Sequence, residues 1–116
     1  MTPTDELRNK LRRLLDEKIP SGGTEADTRF LDSEIDELLS EAQNINEAAA
    51  NGWIEKAGMY QREMGDVERT GTGQESYTLT SLKDRMEYAL KMAKIYGDMA
   101  RRQGSFVMGI ERPEVL

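Results

Sequence analysis

Apolar and polar residues follow one another along most of this chain at the three- and four-residue spacing of amphipathic helices. The pattern is longest between Ser81 and Arg102. The apolar and small residues of this segment share one face: Leu82, Met86, Ala89, Leu90, Ala93, Gly97 and Ala100. Ser81 and Asp84 match a capping box, and Gly104 follows the last turn as a stop signal. We expect this segment to be the central helix, on which the preceding segments pack.

The first of three shorter amphipathic segments runs from Thr4 to Lys18 and ends before Pro20 and the pair Gly22–Gly23. Its apolar stripe is narrow and consists of Leu7, Leu11, Leu14, Leu15 and Ile19. Arg12 and Glu17 fall on the opposite, charged face. The narrow stripe leaves two arrangements open, because the helix could pack on its own subunit or dock loosely on a neighbour.

The second segment begins near Asp32, a suitable N-cap, with Ser33 and Asp36 as an alternative capping box. One of its faces is apolar and consists of Ile35, Leu38, Leu39 and Ala42. The other is acidic and consists of Glu34, Asp36, Glu37 and Glu41. The chain has no histidine, which excludes the carboxylate–histidine pattern of di-iron bundles. We therefore expect a solvated acidic face and no metal site.

The third segment is capped by Asn44 and Glu47 and extends to about Met64. Residues with the same helical register are Ile45, Ala49, Gly52, Trp53, Lys56, Ala57, Tyr60 and Met64. A glycine inside a helix costs about 1 kcal/mol relative to alanine, so we expect close packing at Gly52 in compensation. We expect Trp53 to be buried against the Leu82–Ala100 face. The predicted core as a whole is Ile35, Leu38, Leu39, Trp53, Tyr60, Leu82, Met86, Leu90 and Ala93.

A glycine- and threonine-rich segment from Gly65 to Tyr77 is predicted to be a long loop between the third and central helices. It lacks the lysine and the strand–helix setting of a phosphate-binding loop, which excludes nucleotide binding of that kind. We expect it to contact another subunit or a partner. The residues assigned to this contact are Arg69, Thr70, Gly71, Thr72, Gly73, Gln74 and Glu75.

The last twelve residues, 105–116, are apolar for a chain terminus and are predicted to form an extended tail after a bundle domain of residues 1–104. Composition leaves open whether the tail folds back on the bundle or reaches a partner. We expect partner binding, because an exposed apolar strip usually marks a binding surface. The residues assigned to it are Phe106, Val107, Met108, Ile110, Val115 and Leu116.

Composition agrees with one small helical domain. The 116 residues have a net charge of −6, which disfavours free nucleic acid or an anionic membrane as the main partner. Residues 25–75 contain 13 acidic and 4 basic side chains, a net of −9, whereas residues 83–102 contain 3 acidic and 6 basic ones, a net of +3. Cysteine is also absent, so the usual catalytic triads, zinc sites and disulfide frameworks are excluded. We expect no enzymatic activity and no cofactor.

Three blocks of sequence resemble the small adaptor, or connector, proteins at the head–tail junction of tailed bacteriophages. The first block is Phe30–Leu39, and the second is Ala49–Ala57, with the pattern Gly-Trp-x-x-Lys-Ala. The third joins Leu79–Leu82 to Ala89–Tyr96, with the pattern Ala-Leu-x-Met-Ala-x-x-Tyr. Together they cover roughly residues 30 to 97, and the second and third patterns are the more specific.

This resemblance implies a small antiparallel bundle of about four helices that assembles as a ring, typically of twelve copies, under the portal. Such a ring extends the DNA channel, offers a platform to the next neck or tail protein, and lets DNA pass without specific binding. The protein would be made in the host bacterial cytoplasm and would reside in the virion neck. The main alternative is a non-enzymatic helical scaffold or regulatory protein that binds a partner helix. A helix-turn-helix regulator fits poorly, because a basic recognition helix is missing.

Overall fold

Four α-helices account for most of the chain. The computed structural model describes residues 1–70 and 75–111, with side chains for residues 1–69 and 78–102. Its helices are α1 (Asp5–Leu14), α2 (Asp32–Glu41), α3 (Ile45–Thr70) and α4 (Glu75–Glu111), and a short 3-10 turn spans Glu25–Asp27. No strand occurs in these described ranges. The predicted all-α, four-helix class is confirmed.

Helices α3 and α4 form a long hairpin, and α1 and α2 pack on α3. The two helices run antiparallel, because Trp53, which follows Ala50 in α3, meets Tyr88, whereas Ala50 lies beside Gly97, later in α4. A Cβ atom added to Gly97 would lie 4.0 Å from the Cβ of Ala50, which places these two positions side by side. Since Ala50 lies only five residues after the start of α3, that start lies level with about residue 102 of α4. Helix α4, which ends at Glu111, therefore continues beyond the N-terminal end of α3.

The core lies where α1, α2 and α4 meet α3. Its fully buried large side chains are Leu11, Leu15, Phe30, Ile35 and Leu39. The predicted core residues Ile35, Leu38, Leu39, Trp53, Tyr60, Leu82 and Ala93 are buried, and Met86 packs against them while partly exposed. Leu90 was predicted to be in the core and is 49% exposed, so that prediction is wrong. Because α4 packs mainly on a single neighbour, only a narrow stripe of it is covered, and Leu90 lies beside that stripe.

Helix α1 packs on its own chain, where Leu11 and Leu15 are fully buried. Thr4 caps its start, accepting a 3.1 Å hydrogen bond from the backbone N–H of Leu7. The helix ends at Leu14, earlier than the predicted Lys18. Asp16 follows in the left-handed region (φ 58°) and turns the chain away from the helix axis.

The start of α2 differs from the predicted cap, whereas the start of α3 confirms its own. Helix α2 includes Asp32, and the Glu34 carboxylate accepts a 2.8 Å hydrogen bond from the backbone N–H of Leu31. Asp32 is engaged by Arg12 instead of serving as the N-cap. At α3, Asn44 Oδ1 accepts from the backbone N–H of Glu47 at 2.9 Å, which is the predicted cap.

Both long helices run further than the sequence pattern indicated. Residues 65–70 belong to α3 and residues 75–77 to α4, so the predicted loop from Gly65 to Tyr77 is wrong at both ends. Gly104 does not end α4, and the predicted extended tail is helical through Glu111. A glycine weakens a helix by only about 1 kcal/mol, which the hydrogen bonds and packing of neighbouring turns can offset. An ion pair between Asp66 and Arg69, one turn apart, adds support beyond Gly65.

Candidate interaction surfaces

Two side chains of α3 close the C-terminal end of α1. Trp53 Nε1 donates a 3.0 Å hydrogen bond to the carbonyl oxygen of Leu14, and Lys56 Nζ donates a 2.8 Å bond to that of Leu15. These carbonyl groups lie where a helix leaves its last oxygens without intrahelical partners. The prediction that Trp53 is buried is confirmed, and its hydrogen bond to Leu14 ties α3 to α1 as well.

Lys56 and Glu17 form a buried ion pair beside this helix end. Lys56 is 3% exposed, and its Nζ lies 2.7 Å from Glu17 Oε2 and 4.3 Å from the centre of the Trp53 ring. Glu17 Oε1 accepts a 2.8 Å hydrogen bond from the backbone N–H of Arg29. The ammonium group thus has a carbonyl, a carboxylate and an aromatic face as partners, which are the partners that a buried lysine needs.

Arg12 is a second buried cation, although the sequence pattern placed it on the charged face of the first helix. Its guanidinium group donates to Thr28 Oγ1 (2.9 Å), to the carbonyl oxygen of Phe30 (2.8 Å) and to Asp32 Oδ1 (2.8 Å). The hydrogen bond from Arg12 lowers the pKa of the Asp32 carboxyl below its ordinary value. Because these partners lie on the connection to α2, Arg12 fixes that connection against α1.

A cleft of about 430 Å³ opens next to the buried ion pair. Trp53, Tyr60 and Tyr88 give it aromatic walls, and the Trp53 and Tyr88 rings meet edge to face with centroids 5.6 Å apart. Its charged lining residues balance in sign and are Asp16, Glu17, Arg29, Lys56, Asp84 and Arg85. Arg29 covers the Tyr60 ring at 4.4 Å, so cations of the protein already cover two of the aromatic rings.

A second groove, of about 610 Å³, follows the line between the first half of α3 and the second half of α4. Its small residues are Ala50, Ala93, Gly97 and Ala100. Ile54 is exposed at its edge, and Glu47, Lys94 and Arg101 also line it. A groove with small apolar residues and charged edges suits an amphipathic segment better than a small polar molecule.

An acidic surface joins α2 to α3. Partial desolvation raises the pKa of Glu55 above its ordinary value of 4.5, and the carboxylates of Glu34, Glu37 and Glu41 raise it further. Asp36 is held away from this group by a bidentate pair with Arg8, with both N–O distances at 2.9 Å. Within the described residues no cluster of His, Cys, Asp or Glu is arranged to hold a metal ion.

The residues predicted from the sequence to contact partners lie between α3 and α4 and at the C-terminal end of the chain. Arg69 and Thr70 end α3 and Glu75 begins α4, whereas Gly71, Thr72, Gly73 and Gln74 lie outside the described residues. Phe106, Val107, Met108 and Ile110 fall within the helical range of α4, but their side chains are not described; Val115 and Leu116 lie outside. Both contact assignments therefore remain predictions.

Sequence reasoning missed Glu17 and Arg12 as buried groups, because a charged residue in a polar stretch gives no signal of burial. For Lys56 the signal was present, since it shares the helical register of Trp53 and Tyr60.

No protein-family model, curated protein or solved structure matches this chain. Over the described residues, none of the helices combines the length and apolar character needed to cross a membrane.

Proposed function

We propose that this protein is a structural adaptor of the tailed-bacteriophage neck, whose copies form a ring, with twelve as the expected number, beneath the portal. In this role it has no enzymatic activity, extends the DNA channel and presents a surface to the next neck or tail protein. The protein is made in the host bacterial cytoplasm and resides in the virion.

The observation that carries the proposal is where the three blocks that resemble such adaptors lie in the fold. Phe30–Leu39 supplies α2 and the residues leading into it, Ala49–Ala57 supplies the part of α3 that meets α1, and Ala89–Tyr96 supplies the packed part of α4. Trp53 and Lys56, from one of the two more specific blocks, close the end of α1. The resemblance thus rests in large part on core residues, although Leu90 of the third block is exposed. A match of core residues supports a shared architecture more strongly than a match of surface residues would.

The distribution of charge supports the same role. The acidic surface around Glu55 would repel DNA if it faced a channel, so that DNA could pass without adhering. The basic excess of residues 83–102 lies on a different helix. Opposite charges on separate surfaces favour head-to-side association between copies, and a heterologous contact of that kind closes into a ring when its rotation permits.

Light scattering tests the proposal most directly. The protein is measured alone and after mixing with the portal protein of the same virus. We expect a complex whose mass fits a ring of adaptors on the portal. Charge reversal at two exposed positions of the acidic surface (Glu37→Lys with Glu41→Lys) should leave folding intact while altering DNA passage. A portal that recruits no copy of the protein under any mixing ratio would refute the proposal.

The groove between α3 and α4 favours a second candidate function, a scaffold or regulatory protein that holds a partner helix. Its small residues Ala50, Gly97 and Ala100 would permit a helix to approach closely. Gly97→Leu would fill this groove, and loss of a partner's binding with unchanged portal binding would favour the scaffold role over the adaptor role.

A further inference from the structure

Helix α4 has a second apolar stripe beside the one that packs on α3, and this stripe is mostly exposed, although the Tyr88 ring meets Trp53 of α3 edge to face. Tyr88, Met92, Ile95 and Met99 recur at spacings of four, three and four, the heptad spacing of coiled coils. Tyr88 is 54% exposed, Ile95 40% and Met99 37%, while Met92 is partly buried. Ala89 and Ala93, which are buried in the core, each follow a stripe residue by one position, about 100° around the helix.

An apolar stripe of this regularity on an otherwise charged helix is typical of a helix–helix seam and not of scattered surface residues. The seam can be supplied by the chain itself. When a second α4 is placed antiparallel with its Ile95 opposite Met92, its Met99 falls opposite Tyr88, because both intervals are four residues. Every described stripe residue then has an apolar partner.

Charges beside the stripe select this antiparallel register. Lys91 comes within a turn of Asp98 of the second copy, and two-fold symmetry repeats the pair. Arg102 of the second copy falls opposite Arg85 and next to Asp84, so that end of the contact adds no net attraction. A parallel arrangement would instead bring the two Lys91 side chains, and the two Asp98 side chains, to the same level. Lys91 and Asp84 have no ion-pair partner among the described residues, whereas Asp98 pairs with Lys94 and Arg101 along its own helix.

We infer that two copies of this chain associate through the Tyr88–Met99 stripe of α4 as an antiparallel pair, with Lys91 and Asp98 setting the register. This contact is isologous and therefore differs from the heterologous ring contact of the proposed function, on which it does not depend. In this contact, the second copy covers the stripe residues that are exposed in the described part of α4.

The oligomeric state and two matched substitutions test the inference. Light scattering across a concentration series should give twice the mass of one chain at the upper end. Ile95→Lys should raise the dissociation constant at least about 100-fold, because two isoleucines lose their burial at once. Leu90→Lys is the control, since Leu90 is 49% exposed on the same helix but off the stripe, and it should leave the dimer unchanged. A monomer at all concentrations, or equal effects of both variants, would overturn the inference.

Disulfide trapping tests the orientation, and the chain offers a clean background because it has no cysteine. Tyr88→Cys and Met99→Cys chains, mixed and oxidised, should give the mixed disulfide in excess over either homodimer. Positions 88 of the two copies would be about 16 Å apart along an antiparallel seam, too far for a bond. Predominant homodisulfides would contradict the antiparallel arrangement.

The register is tested by charge exchange. Lys91→Glu should weaken the dimer and Lys91→Glu with Asp98→Lys should restore it, with circular dichroism to confirm equal helicity. Failure of the double variant to recover would exclude the Lys91–Asp98 pairing. Because none of these measurements involves the portal, their outcome is independent of whether the protein is an adaptor.

Discussion

At the scale of single residues, Lys56 is the buried charge on which several neighbouring groups depend. It satisfies a helix-end carbonyl of α1, neutralises the buried Glu17 carboxylate and lies over the Trp53 ring. Removing one member of such a group leaves the remaining polar groups buried without partners. The resulting loss in the free energy of unfolding is larger than the stabilisation that the intact ion pair provides.

Lys56→Met should therefore lower the free energy of unfolding by about 3–5 kcal/mol, because Glu17 keeps its buried charge and the Leu15 carbonyl loses its donor. Chemical denaturation measures this loss. Lys83→Met, at an exposed position of α4, is the control and should stay within about 0.5 kcal/mol of the parent. Adding Glu17→Gln to Lys56→Met should recover part of the loss; a double variant as unstable as the sum of both singles would show that the pair is not coupled.

Glu55 gives a pH-dependent prediction at the same scale. Its pKa is raised by desolvation and by the carboxylates of α2, so the folded state binds a proton at Glu55 more readily than the unfolded state does. Ionised Glu55 therefore opposes folding at neutral pH, and this opposition disappears as the pH falls below the ordinary value of 4.5. Glu55→Gln should raise the melting temperature at pH 7 and give no gain near pH 4. A gain that persists at low pH would point to a cause other than charge.

At the scale of helices, the sequence predicted the buried faces better than the helix ends. Ile35, Leu38 and Leu39 were assigned correctly because three- and four-residue spacing reports directly which side of a helix is covered. Leu90 was misassigned because spacing cannot say how many neighbours a helix has, and hence how wide its covered stripe is. The ends of α3 and α4 were misplaced because Gly65 and Gly104 were given more weight than the turns around them.

Two glycines of α3 provide a matched test of close packing between helices. A Cβ atom at position 52 would come within 2.6 Å of Leu15 Cδ2, so Gly52→Ala should destabilise the protein by about 1–3 kcal/mol despite its better helix propensity. At position 58 the nearest group is the flexible end of Arg62 at 3.5 Å, and Gly58→Ala should stabilise by about 0.5–1 kcal/mol. Thermal unfolding of the two variants should thus shift in opposite directions. Equal gains would mean that α1 does not pack tightly at Gly52.

At the scale of the whole molecule, the sequence indicated the four-helix class but not the polar connections that join α1 to α3. The class follows from the apolar periodicity. The roles of Arg12 and Glu17 depend on which distant carbonyls and hydroxyls come near them, for example Thr28 and Phe30, and local sequence does not contain that information. The interaction surfaces were predictable only in part. The α4 stripe can be read from residue spacing, whereas the cleft beside Trp53 forms only when α3, α4 and the connection between α1 and α2 meet.

The far end of α4 gives the last prediction. Among the α4 side chains that the structure describes, which reach residue 102, the last buried one in the core is Ala93, and Tyr96 packs partly buried against the core. The start of α3 lies level with about residue 102. Truncation after Gln103 should therefore retain the ellipticity of residues 1–103 and shift the melting temperature by only a few degrees. If residues 104–116 bind the portal, the truncated protein should no longer co-sediment with it.

Truncation after Met92 is the matched control, because it removes Ala93 and Tyr96 from the core and should unfold much of the bundle. Retained helicity with lost portal binding in the first truncation would assign the end of α4 to the interface. Undiminished binding would remove it from the interface. A loss of helicity comparable to that of the second truncation would instead place these last residues within the packed bundle.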